Sequence, residues 1–309
     1  MTTDRITLPT ALLTGSMLVM ISAIAFSSKA IMAKLAYRYH VDVETLLALR
    51  MACSTPFFLL LAVWVYFSGG RRTFSLRDGI IIAILGVIGG YLPMWLDFAG
   101  LRYVSAGLER IILFLYPTMV VILSAFWYRQ HIGRREILAL IISYGGVIMV
   151  VGHDVMTTTT DSGQMALGAM LVFASALLYA GYLVCCGRII PRVGSAAFTA
   201  YSMLMASATS GLHFAATDHQ ASILNLPAAV YQIALLMAVI ATVLPALLLN
   251  IGIQRIGSNR AALVSSIGPV STIVLAYVFL DEPVTGLQMA GAALVISGVL
   301  LITTHKAPA

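Results

Sequence analysis

Ten apolar stretches lie between residues 11 and 304, and five ionised residues, Lys29, Arg50, Asp97, Glu109 and Arg110, fall inside them rather than between them. Sixty per cent of the 309 residues are hydrophobic and ten per cent are charged. With a mean hydropathy of +0.97, a soluble domain of this size is excluded, because it would expose a large apolar surface. Stretches that cross about 30 Å of hydrocarbon at about 1.5 Å per residue are expected at 11–35, 43–67, 78–100, 103–128, 135–152, 165–187, 194–216, 227–250, 256–280 and 286–304. Their apolar character is continuous rather than alternating, so helices satisfy the backbone and a barrel is excluded. The expected fold is therefore an all-α integral membrane protein with ten transmembrane helices.

Arginine and lysine set the orientation, because cytoplasmic loops hold the excess. Arg5, Arg71, Arg72, Arg77, Arg129, Arg134, Arg135, Arg188, Arg192, Arg255 and Lys306 fall at the N-terminus, in the even-numbered loops or after the last span. The opposite side holds Lys34, Arg38 and Arg102, and its later loops around Asp161, Asp218 and Asp281 hold no basic residue. Both termini are thus expected in the cytoplasm of a bacterial-type inner membrane. The net charge of +6 is this asymmetry, and no basic stripe points to nucleic acid. The first apolar run is a full span without a cleavage pattern, so no signal peptide is expected. Cys53, Cys185 and Cys186 fall in spans without metal-ligand spacing and read as buried free thiols. His153, His213 and His219 form no cluster, and neither a metal nor another cofactor is expected.

Shifting the chain by 152 residues superimposes Pro93 on Pro245, Gly100 on Gly252, Pro117 on Pro269 and Gly146 on Gly298. The offset lays helices three to five on helices eight to ten, giving two repeats of five helices, 1–152 and 165–304. An odd number of helices per repeat inserts the second half from the opposite side, and such inverted pairs suit alternating access. Pro117 and Pro269, each lacking a backbone donor, are the expected hinges.

The run Phe26-Ser-Ser-Lys29-Ala-Ile-Met-Ala-Lys34, followed by Ala48-Leu-Arg50, resembles the first two helices of EamA-type members of the drug/metabolite transporter superfamily. So do Val104-Ser-Ala-Gly-Leu-Glu109-Arg-Ile-Ile-Leu-Phe-Leu-Tyr116-Pro117 and its partner Gly257-Ser-Asn-Arg-Ala-Ala-Leu-Val-Ser-Ser-Ile-Gly-Pro269, ending in Leu280-Asp-Glu282-Pro283. The resemblance spans the whole chain and implies ten helices, two inverted repeats and transport of small metabolites, often amino acids. Phe26 departs from the tryptophan common at that position, and Gln130 stands where the first repeat usually has the acid matched here by Glu282.

Counting along the helices puts Lys29, Arg50 and Glu109 each about 9–10 Å below the outer membrane surface, with Asp97 slightly nearer to it. Exposure to lipid would cost about 2.5–3.5 kcal/mol for each charge, so they are expected to face the bundle interior. Summed with Arg110 the set carries +1, which an anionic or zwitterionic ligand would complete. A self-satisfied ion-pair lock and long stems snorkelling to the interface are the structural readings. Glu109 is the expected proton carrier, because burial raises a carboxyl pKa. Lys29 is either its partner or the anchor for a substrate carboxylate. Trp95, Tyr116, Tyr179, Tyr182 and Ser265, with Tyr91, Phe98 and Phe114, complete the expected lining, Tyr116 sharing one helix face with Glu109, and ordinary packing is the alternative role for each aromatic. Asn250, Asn259 and Arg260 are expected near the cytoplasmic end.

These features favour a secondary active transporter of a small polar or amphipathic metabolite, most often an amino acid or derivative, with a proton as candidate coupling ion, acting as monomer or homodimer. An intramembrane enzyme is the rival, but neither His-Glu-x-x-His nor Gly-x-Ser-x-Gly occurs. A sensor or scaffold would show longer connections.

Overall fold

The computed structural model describes residues 8–68, 75–129, 132–157, 162–217, 223–256 and 258–303. Arg5, Arg71, Arg72, Gln130, Asp161, Asp218, His219 and Lys306 lie outside these residues, as do the side chains of Asn250 and Asn259. The described chain is helical almost throughout. The helices are α1 (Leu8–Tyr37), α2 (Val43–Phe67), α3 (Leu76–Leu85), α4 (Leu92–Gly100), α5 (Ala106–Leu113), α6 (Tyr116–Tyr128) and α7 (Arg134–Thr157). After these come α8 (Ser162–Val193), α9 (Ser195–Ala216), α10 (Ala228–Ala238), α11 (Leu244–Ile256), α12 (Ser258–Ser265), α13 (Gly268–Leu280) and α14 (Gly286–Thr303). Short π-helical segments, Gly86–Tyr91 and Val239–Val243, join α3 to α4 and α10 to α11.

Among the described residues, eight spans are long and apolar enough to cross a membrane. Two of the ten expected runs fall short of that standard. The α9 segment is long but rich in Ser, Thr and Gly, and α14 is a shorter apolar helix. Large apolar side chains cover the outside, with Phe126 84% and Phe67 77% exposed, a surface that only lipid or another apolar partner covers favourably.

Proline chemistry explains where the helices break. A proline in a helix lacks the N–H and its ring clashes with the carbonyl four residues earlier. Those carbonyls belong to Leu113 for Pro117 and to Ser265 for Pro269, the residues at which α5 and α12 end. The fourth and ninth runs, each expected as one helix, are therefore broken into two. Pro93 and Pro245 act more gently. The residues four before them, Gly89 and Ala241, fall within the π segments, where the backbone widens instead of parting. Both later helices of the broken runs, α6 and α13, finish on a left-handed residue, Arg129 and Asp281, again 152 apart.

Helix pairing uses small residues. The α1 helix packs along α11, α4 along α8, α7 along α14 and α2 along α9. Ser22 Oγ donates to the Pro245 carbonyl at 2.7 Å, and Ser175 Oγ donates to the Pro93 carbonyl at 2.6 Å. A side chain added at Gly252 would strike Val19, and one at Gly100 would strike Val172. Gly146, Gly291 and Gly298 let α7 and α14 approach so closely that an added Cβ would lie 2.6 Å from the Ala139 carbonyl at Gly298 and 2.9 Å from the Gly291 carbonyl at Gly146. Close backbone approach through small residues is the usual way for helices to associate in lipid, where no hydrophobic force drives them together.

Of the three cysteines, all free, only Cys186 is buried, whereas Cys53 and Cys185 are half-buried. Gly298→Val should lower the unfolding free energy in detergent by about 1–3 kcal/mol, since backbone must move to admit the side chain. Gly211→Ala, where nothing lies within 4 Å of the added atom, should change it by less than about 1 kcal/mol; thermal unfolding of the two variants checks this.

Candidate functional site

Four helices bring charge to one level of the bundle. Lys29 comes from α1, Arg50 from α2, Asp97 from the last turn of α4 and Glu109 from the first turn of α5. Ser105 opens α5 as its N-cap, its Oγ accepting from Leu108 N at 3.1 Å. Glu109 thus sits near the positive end of a helix, a favourable place for a carboxylate.

Lys29 Nζ donates a hydrogen bond to Asp97 Oδ2 and stands 3.2 Å from Glu109 Oε1. Relative exposure is 6% for Lys29, 3% for Asp97 and 0% for Glu109, so neither water nor lipid screens the group. One ammonium against two carboxylates leaves a deficit of positive charge. Among the described residues no N–H or O–H donor bonds either oxygen of Glu109 or Asp97 Oδ1, but the Glu109 and Asp97 side chains are within hydrogen-bond reach of each other, a contact that needs a proton on one of them. The approach of Lys29 to Glu109 is therefore a charge contact without hydrogen-bond geometry.

The two arginines do not join this triad by ion pairs. Arg50 Nη2 donates to Thr242 Oγ1 at 2.9 Å, and its guanidinium lies over the Phe98 ring at 5.4 Å. Arg110 lies over the Phe26 ring at 5.0 Å and against Gly268, where a Cβ would sit 2.8 Å from its Nη2. Aromatic faces thus receive the guanidinium groups, and Phe98 and Phe26 also flank the Lys29 ammonium. The Gly268 carbonyl accepts from Ser27 Oγ at 3.0 Å, tying α1 to the Pro269 break. Ser265 ends α12 at that break, half-buried.

The expected aromatic lining divides in two. Tyr116, Tyr179, Tyr182 and Phe198 form one chain of rings with centroids 5.4–5.9 Å apart. The break at Phe114 and Leu115 interrupts the face that Glu109 and Tyr116 were expected to share, so Tyr116 packs on α8 instead. Trp95 lies in the other group. Two residues along α4 rotate it about 200° from Asp97, and its Nε1 donates to Glu44 Oε1 at 2.8 Å. His213 completes that group, hydrogen-bonded to the Tyr91 hydroxyl and edge-on to Trp95. Glu44 and His213 carry no sequence signal for this role, since they lie on different helices far apart in the chain. Arg260 is exposed.

The profile of the EamA-like transporter family matches this chain twice, at residues 13–152 and 166–304. The chain belongs to that family. Among its relatives, the uncharacterized transporter YcbK of Bacillus subtilis strain 168 is 30% identical over 94% of this chain and 91% of its own length. A second, the uncharacterized transporter YyaM of the same organism, is 25% identical over 78% of this chain and 79% of its own. A solved crystal structure 17% identical superposes with a TM-score of 0.62 over 94% of this chain and 97% of that one, a likeness of fold alone. The protein is thus a multi-pass membrane protein of a transporter family.

Lys29→Met, which strands two buried carboxylates, should cost about 3–5 kcal/mol of stability. The triple change Lys29→Met, Asp97→Asn, Glu109→Gln should recover most of that loss, and thermal unfolding of the three proteins in the same detergent measures it.

Proposed function

We propose that this protein is a secondary active transporter of a small polar or amphipathic metabolite, working by alternating access and driven by a proton. The observation that carries this reading is Glu109, fully buried between the Lys29 ammonium and the Asp97 carboxyl group, where two acids share one cation. Lys29, Asp97 and Glu109 sum to one negative charge when all are ionised. A proton on Glu109 neutralises the triad. The ammonium of an amino acid or a derivative neutralises it equally well, and the two therefore compete for one place, which is the condition for exchange. Arg50, bonded to Thr242 and lying over Phe98, keeps donors that a substrate carboxylate can take.

Alternating access needs two halves that exchange shapes. Ten spans, as inverted repeats over 1–152 and 165–304, meet that need, with α9 and α14 crossing beside the eight more apolar spans. Three recurrences at the 152-residue offset support this reading: the breaks before Pro117 and Pro269, the π segments before Pro93 and Pro245, and the left-handed caps Arg129 and Asp281. The excess of arginine on one side supports cytoplasmic termini in a bacterial-type inner membrane. Transport also accounts for a charge cluster buried in a bundle of short connections better than an intramembrane enzyme does.

In proteoliposomes carrying an internal pH indicator, amino acids should move protons with the wild-type protein. Glu109→Gln, which removes the place for which proton and ammonium compete, should abolish both that proton movement and exchange of labelled substrate while the protein stays folded. Loss of exchange and of folded protein together would favour a static ion-pair lock. Pro117→Ala and Pro269→Ala should each slow transport at unchanged folded yield, and unaltered rates in both would remove the hinge role.

A further inference from the structure

At the Tyr37 end of α1 a cavity of about 370 Å³ opens among the ends of α1, α4 and α13. Lys34, Arg38 and Arg102 line it together with a single carboxylate, Glu282. That carboxylate is already engaged. Lys34 Nζ lies 2.9 Å from Glu282 Oε1, and Ala106 N donates to both Glu282 oxygens, at 3.2 and 2.9 Å, where the residue caps α5. Arg38 Nη2 makes only a long bond to the Leu280 carbonyl, 3.3 Å. No carboxylate of the described residues stands within salt-bridge distance of Arg38 or Arg102. Three cations against one shared carboxylate leave the cavity lining with a net charge of +2, while Asp97, Glu44 and Asp42 act on Tyr37 of its wall from further off.

The opposite end of the bundle has a comparable cavity of about 270 Å³, lined by Arg77, Arg188 and Arg192. There Arg192 stands 3.0 Å from Asp78 and Arg188 lies over the Tyr128 ring at 4.6 Å. A cytoplasmic bias of basic residues accounts for an arginine-rich end on one side of a membrane protein, and only on one side. The excess around Arg38 and Arg102 is at the other end and calls for a different cause. Its place in the fold supplies one. The Tyr37 hydroxyl, in the cavity wall, donates to the Phe98 carbonyl at 2.8 Å, and the Phe98 ring lies against both Lys29 and Arg50. The cavity floor is therefore the roof of the buried triad, with Lys34 only about 7.5 Å along α1 from Lys29.

We infer that this cavity is an oxyanion site, in which Arg38 and Arg102 receive a carboxylate or phosphate group and Lys34 supplies the third positive charge. Guanidinium forks match both groups in geometry, and because Arg38 and Arg102 are both exposed at the cavity mouth, it is that fit and the summed charge that hold the group. The group belongs to a free solute or to a lipid headgroup, which share this chemistry. The site stands on the cavity alone and does not depend on the transport reading.

The test is calorimetric titration of the full-length protein in a neutral detergent with inorganic phosphate, ionic strength being held constant with chloride. Saturable binding is expected, about tenfold weaker in Arg38→Gln and in Arg102→Gln. Arg38→Lys, which keeps the charge and loses the fork, should fall between. Gel filtration and circular dichroism establish that each variant is folded. Repeating the titration in nanodiscs of phosphatidylcholine, with and without phosphatidylglycerol, separates the sources. Unchanged phosphate affinity assigns the site to a free solute, and affinity lowered by phosphatidylglycerol in an Arg38-dependent way assigns it to a headgroup. Absence of saturable phosphate binding overturns the inference. So does wild-type affinity in Arg38→Gln and Arg102→Gln, or an equal loss in the Arg77→Gln control at the other end. Failure of the Glu109→Gln proton-flux assay leaves all of these outcomes intact, so the two readings fall separately.

Discussion

Lys29 between Asp97 and Glu109 is the interaction that decides how α1, α4 and α5 face one another. Each of the three charges would be costly against lipid, and each loses its water on burial. Only contact with the others offsets that loss. The helices are thereby fixed in rotation, because a turn of any one would leave a charge without its partner. Arg50 and Arg110 meet the same constraint differently, placing flat, weakly hydrated guanidinium groups over Phe98 and Phe26. Phenylalanine faces thus stabilise both arginines, which still act on Asp97 and Glu109 from beyond ion-pair distance.

The proline breaks belong to the same arrangement. Backbone that leaves helical geometry at membrane depth is tolerated only where protein covers it. At the Pro269 break the covering comes from Ser27, which bonds to the Gly268 carbonyl, and from Arg110, which lies against Gly268. At the Pro117 break the chain changes course between Leu113 and Tyr116, so that Glu109 looks toward α1 while Tyr116 looks toward α8. A continuous helix would have kept both on one face. The break therefore separates a charged compartment from an aromatic one within a single span.

Much of this was legible in the chain itself. Hydropathy is additive along the sequence, so the membrane class and the spans with the highest apolar content follow from composition. Proline acts on its own neighbour four residues back, so the ends of α5 and α12 follow once Pro117 and Pro269 are seen to lie inside apolar runs. The common depth of Lys29, Asp97 and Glu109 follows from counting residues at a fixed rise. Helix α9 was harder to read, because Ser195–Ala216 buries polar side chains such as Ser202 and Ser210 against its neighbours rather than showing lipid an apolar face.

Partnership within the charged layer was a different matter. Five charges summing to +1 suggested a centre completed by an anionic or zwitterionic ligand, whereas the fold arranges them as a triad with an excess carboxylate and two arginines on aromatic rings. Glu44 and His213 joined Trp95 and Tyr91 without any signal in their spacing, since they meet across three helices. The sequence by itself determined the solvent, the spans' weak points and the depth of each charge, because these depend on local properties read along one dimension. Only the tertiary structure decided which charge meets which, because that depends on the rotation and crossing of helices, set by close contacts such as Gly252 on Val19 and Gly298 on Ala139 that act between residues far apart in the chain.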